Sequence, residues 1–357
     1  MRTLGILDED RLMLLPDKYR VAHEFCFYLH DKLAQMLVEY DLNRVQDTVA
    51  DAFEKVIVEA GQEDKFEDVD LLEYMKENEL IEPYRHHLVS HTIMALTSDM
   101  LHFIYEALTC LEKRKFSVAF SLLRKPLKEH LFFLSWILAD EDDFISRFES
   151  NNHISFNGVT KEKRIEIIDK AIKKLHVDEA FDAETIWSIV YSKKHENGFE
   201  PTWQKATHLT TSQGELLKTE NYSLNFIFED AFDDYYYEFL ESKLPYVFLY
   251  ITQVTLESFN RIQSTNEKTI SHLILTMMGC YEALFLDGRS LTISRMLQKQ
   301  LGDFLSCIHC ESKLKIKKAN AAELYLHEAF ICESCGLRSE LPLYWLLAKA
   351  KMTLTKF

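Results

Sequence analysis

Twenty-four consecutive residues, Phe116 to Ala139, constrain this chain more than any other stretch. Phe120, Leu123, Leu127, Leu131, Leu134 and Leu138 recur at steps of three and four, the spacing of a buried helix. The remainder is also apolar, apart from one polar island, Arg124-Lys125-Pro126-Leu127-Lys128-Glu129-His130. A rod that is apolar on most faces must be surrounded by other elements. Pro126 has no N–H to donate and leaves the carbonyl of Leu122 free, which predicts a kink beside Arg124. Nine Gly and six Pro in 357 residues point to long helices joined by short turns, not to an all-β or Rossmann design. The expected fold is therefore all-α, a bundle of about ten helices built around this rod.

The rest of the chain supplies the surrounding stripes. Val21, Phe25, Leu29, Leu33, Met36, Leu37 and Tyr40 form one helical face, and Val45, Val49, Phe53, Val56 and Ala60 a second, broken at Gly61. A short acidic helix fits 69–80, and after Pro83 a longer pattern runs from Leu88 to Leu111. Because only Lys113-Arg114-Lys115 separates that pattern from the rod, the two should pack antiparallel. Further helices are expected around 165–175, 186–191, 268–286 and 289–305, and one after Pro245 as a first-turn proline. Residues 151–158 read as polar loop, and 193–225 as a long polar segment without clean periodicity. Helical periodicity stops near Ser306. This divides the chain into a helical domain, 1–305, and a C-terminal module, 306–357.

Charge narrows the function classes. The formal net charge is −16, and residues 41–82 hold fourteen acidic against four basic side chains. Residues 229–241 add six acids and no base. Such runs form solvated helix faces or docking surfaces for a basic partner. Net acidity argues against a protein that coats duplex DNA. The N-terminus lacks the apolar core of a signal peptide, and the longest strongly apolar run is far too short to span a bilayer. A cytoplasmic protein with no membrane partner is the expectation.

Cysteine spacing gives the sharpest local signal. Cys26, Cys110 and Cys280 stand alone in helical patterns and read as inert buried thiols. Cys307-Ile-His-Cys310 and Cys332-Glu-Ser-Cys335-Gly336 are two Cys-x-x-Cys knuckles 21 residues apart, which offer four thiolates to one zinc ion. Four thiolates fill a tetrahedral ion, so the metal is expected to be structural. His309 and His327 are then surplus. Alternation in Lys313-Leu-Lys-Ile-Lys317 suggests a strand, and a long hairpin would span the interval. The module resembles a zinc ribbon. From Cys307 onward eight basic residues face five acidic ones, a surface for nucleic acid or an acidic partner, or simply a cap on the bundle.

No phosphate loop, Gly-x-Gly-x-x-Gly or His-Glu-x-x-His occurs. The polar island does hold Arg124 and His130 in an Arg-x5-His spacing, within Ser121-Leu-Leu-Arg-Lys-Pro-Leu-Lys-Glu-His130. That run resembles the motif helix of HEPN-type all-helical proteins, many of them bacterial toxins and antiviral effectors. The likeness covers roughly residues 86–140. It implies metal-independent RNA cleavage across a homodimer seam, with His130 exchanging protons and Arg124 holding the scissile phosphate. Six steps along a regular helix set the two side chains about 120° apart, so a kink or a second subunit would have to unite them. The same spacing recurs in Arg85-His-His-Leu-Val-Ser-His91. Arg124 could equally pair with an acid, and His130 could be a satisfied core residue. Lys205, His208, Thr210, Thr211 and Ser212 form a second polar cluster, suited to phosphate binding or to helix capping. Tyr235, Tyr236 and Tyr237 could stack on bases or pack against the next helix. Two functions remain: a HEPN-like ribonuclease effector, or a non-enzymatic sensor or adaptor whose zinc module or acidic face binds a partner.

Overall fold

The computed structural model describes residues 3–42, 54, 71–151, 158–195, 198–212, 218–221, 223–225, 233–286 and 291–350. The stripe from Val45 to Ala60, the break at Gly61 and most of the 151–158 loop lie outside the described residues. The described part is predominantly helical, with one two-stranded sheet. It forms two compact units. One comprises residues 1–243 and 250–264, the other 244–249 and 265–357. Ser306, the boundary expected from periodicity, falls inside the second unit.

In the first unit α1 (Glu9–Leu12) and α2 (Asp17–Leu42) precede α3 (Leu71–Glu77) and the long α4 (Ile81–Glu112). Arg114, in the left-handed region at φ 56°, makes the turn into the rod. The rod has three parts: α5 (Phe116–Lys125), a π turn (Pro126–His130) and α6 (Leu131–Ala139). It runs back along α4, since Asp99, thirteen residues before the end of α4, pairs with both Lys125 and His130. Phe120, Leu123, Leu127, Leu131 and Leu134 are all at most 1% exposed, as their spacing requires, whereas Leu138 at the end of the stripe is only partly buried. At the far end of α4, Glu112 is buried and bonded by Arg11, with His23 of α2 3.4 Å away. Glu24 of α2, fully buried, accepts the backbone amides of Leu4, Ile6 and Leu7 and ties the leading segment down.

The first unit continues with α7 (Glu141–Asn151), α8 (Lys161–Ile172), α9 (Ala183–Val190), α10 (Phe199–Thr207), α11 (Tyr235–Glu241) and, from residue 250 on, α12 (Leu244–Ile262). Helix α10 lies inside the segment read as irregular. Its Phe199 and Trp203, one turn apart and fully buried, anchor an otherwise polar sequence. Pro245 occupies the first turn of α12, as expected.

The second unit holds residues 244–249 of α12 together with α13 (Glu267–Phe285), α14 (Thr292–Leu301), α15 (Lys318–His327), strands β1 (Ala329–Ile331) and β2 (Arg338–Glu340), and α16 (Leu343–Ala350). Tyr325 of α15 lies against the backbone of α13 at Gly279, where an added Cβ would fall 2.6 Å from the ring. Its hydroxyl meets Ser294 at 2.9 Å. The interval between the knuckles is mainly helix α15, not the long hairpin expected from alternation. Lys313–Lys317 keeps its alternating burial, yet its only ladder contact is an isolated bridge between Ser306 and Lys313. Among the described residues no helix is long and apolar enough to cross a membrane.

Candidate metal centre and the polar island

The two cysteine knuckles are built alike. In each, the first cysteine amide donates to a carbonyl five residues on: Cys307 to Ser312 and Cys332 to Leu337, both at 2.9 Å. The residue after the second cysteine returns its amide to the first cysteine carbonyl, Glu311 to Cys307 at 2.9 Å and Gly336 to Cys332 at 2.8 Å. That return requires left-handed backbone, φ 59° at Glu311 and 72° at Gly336. The second knuckle is also the turn of the β1–β2 hairpin, registered Ile331 opposite Arg338.

This construction aims amides at sulfur. His309 N–H donates to Cys307 Sγ and Ser334 N–H to Cys332 Sγ, each at 3.4 Å. The hydroxyl of Ser312 lies 3.1 Å from Cys310 Sγ and 3.2 Å from Cys332 Sγ, and that of Ser339 3.4 Å from Cys307 Sγ. These contacts favour thiolate. The Ser312 hydroxyl, then the Cys335 amide, bring the Cys332 thiol down to about 5, and the Ser339 hydroxyl lowers Cys307. All four sulfurs lie within 4.8 Å of one another. Cys307–Cys335 and Cys310–Cys332 are each 3.7 Å apart. A tetrahedral ion with metal–sulfur bonds of about 2.3 Å has sulfur–sulfur edges of about 3.8 Å, so the cluster fits a metal ion. Cys307 and Cys332 are buried and Cys310 and Cys335 exposed, so one side of the centre faces solvent. His309 is not part of the cluster; its Nε2 lies 3.2 Å from the carbonyl of Arg338. His327 is 4.0 Å from Glu323.

The polar island is distorted as Pro126 foreshadows, but by a π turn: Leu131 N–H bonds the Pro126 carbonyl five residues back. The wider turn absorbs one residue between Arg124 and His130. His130 is 4% exposed, edge-on to Phe103, with Nε2 3.1 Å from Asp99 Oδ2. Burial drives its pKa down to about 4 against the pull of Asp99. Its Nδ1 is buried without a hydrogen-bond partner. Lys125 bonds the same Asp99 oxygen at 2.5 Å and holds that carboxylate below its ordinary range.

Arg124 and Lys128 sit one turn apart on the rod, near enough for the guanidinium to act on the ammonium as a like charge. The Lys128 ammonium bonds both oxygens of Glu200 on α10 at 2.8 Å, and Gln204 adds a third bond to Glu200 at 2.9 Å. Arg124 is half-buried, and its Nε is buried without a hydrogen-bond partner. Among the described residues no hydrogen bond or ion pair joins Arg124 to His130. Sequence reasoning missed Glu200 and Asp99, the two acids that divide the island. The signal for Glu200 was present: it follows a buried aromatic and sits four residues before Gln204 on the same helical face.

The remaining candidates have structural settings. Arg85 of the second Arg-x5-His spacing is bound by Glu141 and Asp142. Lys205, His208, Thr210 and Ser212 are exposed, and Thr211 N–H donates to the Thr219 hydroxyl. Of the three tyrosines, Tyr237 is buried with its hydroxyl on the Leu111 carbonyl at 2.6 Å, while Tyr235 is exposed. Cys26 and Cys280 are buried, Cys110 partly so, and burial raises all three thiols. Comparison of the chain with protein-family models, with curated proteins and with solved structures gives no match.

Proposed function

We propose that this is a zinc-stabilised binding protein, a sensor or adaptor whose ribbon-like C-terminal module engages a partner while the helical bundle serves as scaffold. The observation that carries this reading is the four-cysteine cluster, all sulfurs within 4.8 Å and two pairs at 3.7 Å. Zinc held by Cys307, Cys310, Cys332 and Cys335 would supply folding energy and keep no open position for substrate. Ile308, Ile331 and Leu337, in or beside the knuckles, are 68%, 57% and 51% exposed, which suits a contact surface. Metal analysis of reduced protein should give one zinc per chain. A stoichiometry far below one, or loading unchanged by Cys332→Ser, overturns the zinc assignment.

The second reading is a HEPN-like, metal-independent ribonuclease or toxin-type effector in antiviral defence, acting as a homodimer through Arg124 and His130. The π turn inside the motif supports it, since such turns recur at functional sites. So does the orphaned Nδ1 of His130. Against it stand the burial of His130 and its pairing with Asp99. RNA cleavage in the presence of chelator, by wild type and by Arg124→Ala and His130→Ala, decides between the readings. Activity lost in both variants, with folding and zinc content intact, would replace the binding-protein reading. An inert wild type keeps it.

A further inference from the structure

The second Arg-x5-His run, Arg85-His-His-Leu-Val-Ser-His91, also carries two histidines four residues apart, His87 and His91. Both lie on α4, where that spacing leaves about 40° between them around the helix and sets one a turn above the other. Their rings are nearly parallel, 9° between planes, with centroids 6.3 Å apart. His86 is turned about 100° away from His87 and stays outside the pair. Leu88 and Val89, buried in the core, fix the face that the pair presents. His91 is exposed and His87 half-buried, so both are open to ions from solvent. Among the described residues neither ring makes a hydrogen bond or an ion pair. His23, His130, His176 and His272, by contrast, each meet a carboxylate.

We infer that His87 and His91 form a chelating site for a labile divalent transition-metal ion, separate from the four-cysteine cluster. Imidazole suits zinc, nickel and copper, and histidines at this spacing on one helix face are the pair that zinc-binding helices use. Metal–nitrogen bonds of about 2.0–2.1 Å to both rings require centroids roughly 5–6 Å apart, so a small side-chain rotation closes the pair on an ion. The helix holds the second imidazole beside the first, which lowers the entropic cost of chelation. Leu88 stands where a His-Glu-x-x-His helix carries its glutamate, so the pair holds an ion without a general base for hydrolysis. Among the described residues no third His, Cys, Asp or Glu joins the pair, so water fills the remaining positions and the ion exchanges readily. Dialysis removes such an ion and leaves the metal count of the cysteine cluster unaffected.

The test is calorimetric titration of nickel(II), and separately of zinc(II), into the full reduced chain in a non-coordinating buffer, after one equivalent of zinc has been added for the cysteines. One additional saturable site is expected for each ion. His87→Ala and His91→Ala should each weaken it at least about tenfold. A double variant, His91→Ala with Thr92→His, keeps two imidazoles but sets them about 140° apart, and should bind as weakly as His91→Ala. His208→Ala, at an exposed histidine just beyond α10, should leave affinity unchanged. Circular dichroism confirms that each variant is folded. The comparison among histidine variants reads this site whether or not the cysteines hold zinc, so either assignment can fail without the other. No additional saturable site, undiminished affinity in either single variant, full binding by the double variant, equal loss in His208→Ala, or nickel uptake matched by zinc release overturns the inference.

Discussion

Glu311 and Gly336 occupy equivalent places in the two knuckles and hold the same left-handed backbone, yet only one of them is glycine. A side chain costs roughly 1–2 kcal/mol in that region, so Gly336→Ala should weaken the module by about 1 kcal/mol although the space beside it is open. Glu311→Gly should strengthen it by a smaller amount, because added freedom in the unfolded chain offsets part of the gain. Competition with a chromogenic zinc chelator reads both shifts. His130 offers a pH test. Its folded pKa of about 4 lies below the ordinary 6.5, so between those values the unfolded chain binds a proton that the folded chain refuses. Stability should therefore fall as the pH drops through that window, by up to about 3 kcal/mol from this residue. His130→Asn should flatten that part of the curve. Urea denaturation of both proteins from pH 7 to 4 measures the difference.

Among elements, the link between the π turn and α10 rests on a buried charge pair with unequal neighbours. Glu200→Gln takes from the buried Lys128 ammonium the carboxylate that it bonds and should cost about 3–5 kcal/mol. Lys128→Met should cost less, since Arg164 still attends the carboxylate. A double-mutant cycle by urea denaturation would show that asymmetry. Gly279→Ala should displace Tyr325 and separate α13 from α15, lowering the melting temperature of the second unit. The rod and α4 were legible because their apolar residues recur at helical spacing over many turns. Helix α10 was hidden: two aromatics in nine residues give no period when Glu200, Pro201, Gln204 and Lys205 surround them. Helix α15 was missed for another reason. Ala321, Ala322, Leu324 and Tyr325 form a weak stripe beside a stronger alternation in 313–317. The four-cysteine cluster was readable from spacing alone, since two pairs of thiols at short range constrain geometry more than any propensity. Arg124 and His130 were visible as residues, but the acids that pair with their neighbourhood were not, because Asp99 meets His130 and Glu200 meets Lys128 from distant helices.

At the scale of the whole chain, the two units should respond differently to loss of the ion. Chelation is expected to raise amide exchange across residues 305–340 while α4 and the rod remain protected, as hydrogen-exchange mass spectrometry would show. Uniform loss of protection would mean that the metal supports the entire fold. Residues 244–249 belong to the second unit, whereas 250–264 belong to the first, so both units are discontinuous in sequence. This interleaving sets a timetable for synthesis. The first unit cannot close until Ser264 has left the ribosome, by which time the opening residues of the second have already emerged. The ligating cysteines follow much later, with Cys335 last. Any ion held by the four cysteines can therefore be captured only after the whole of the first unit has been synthesised.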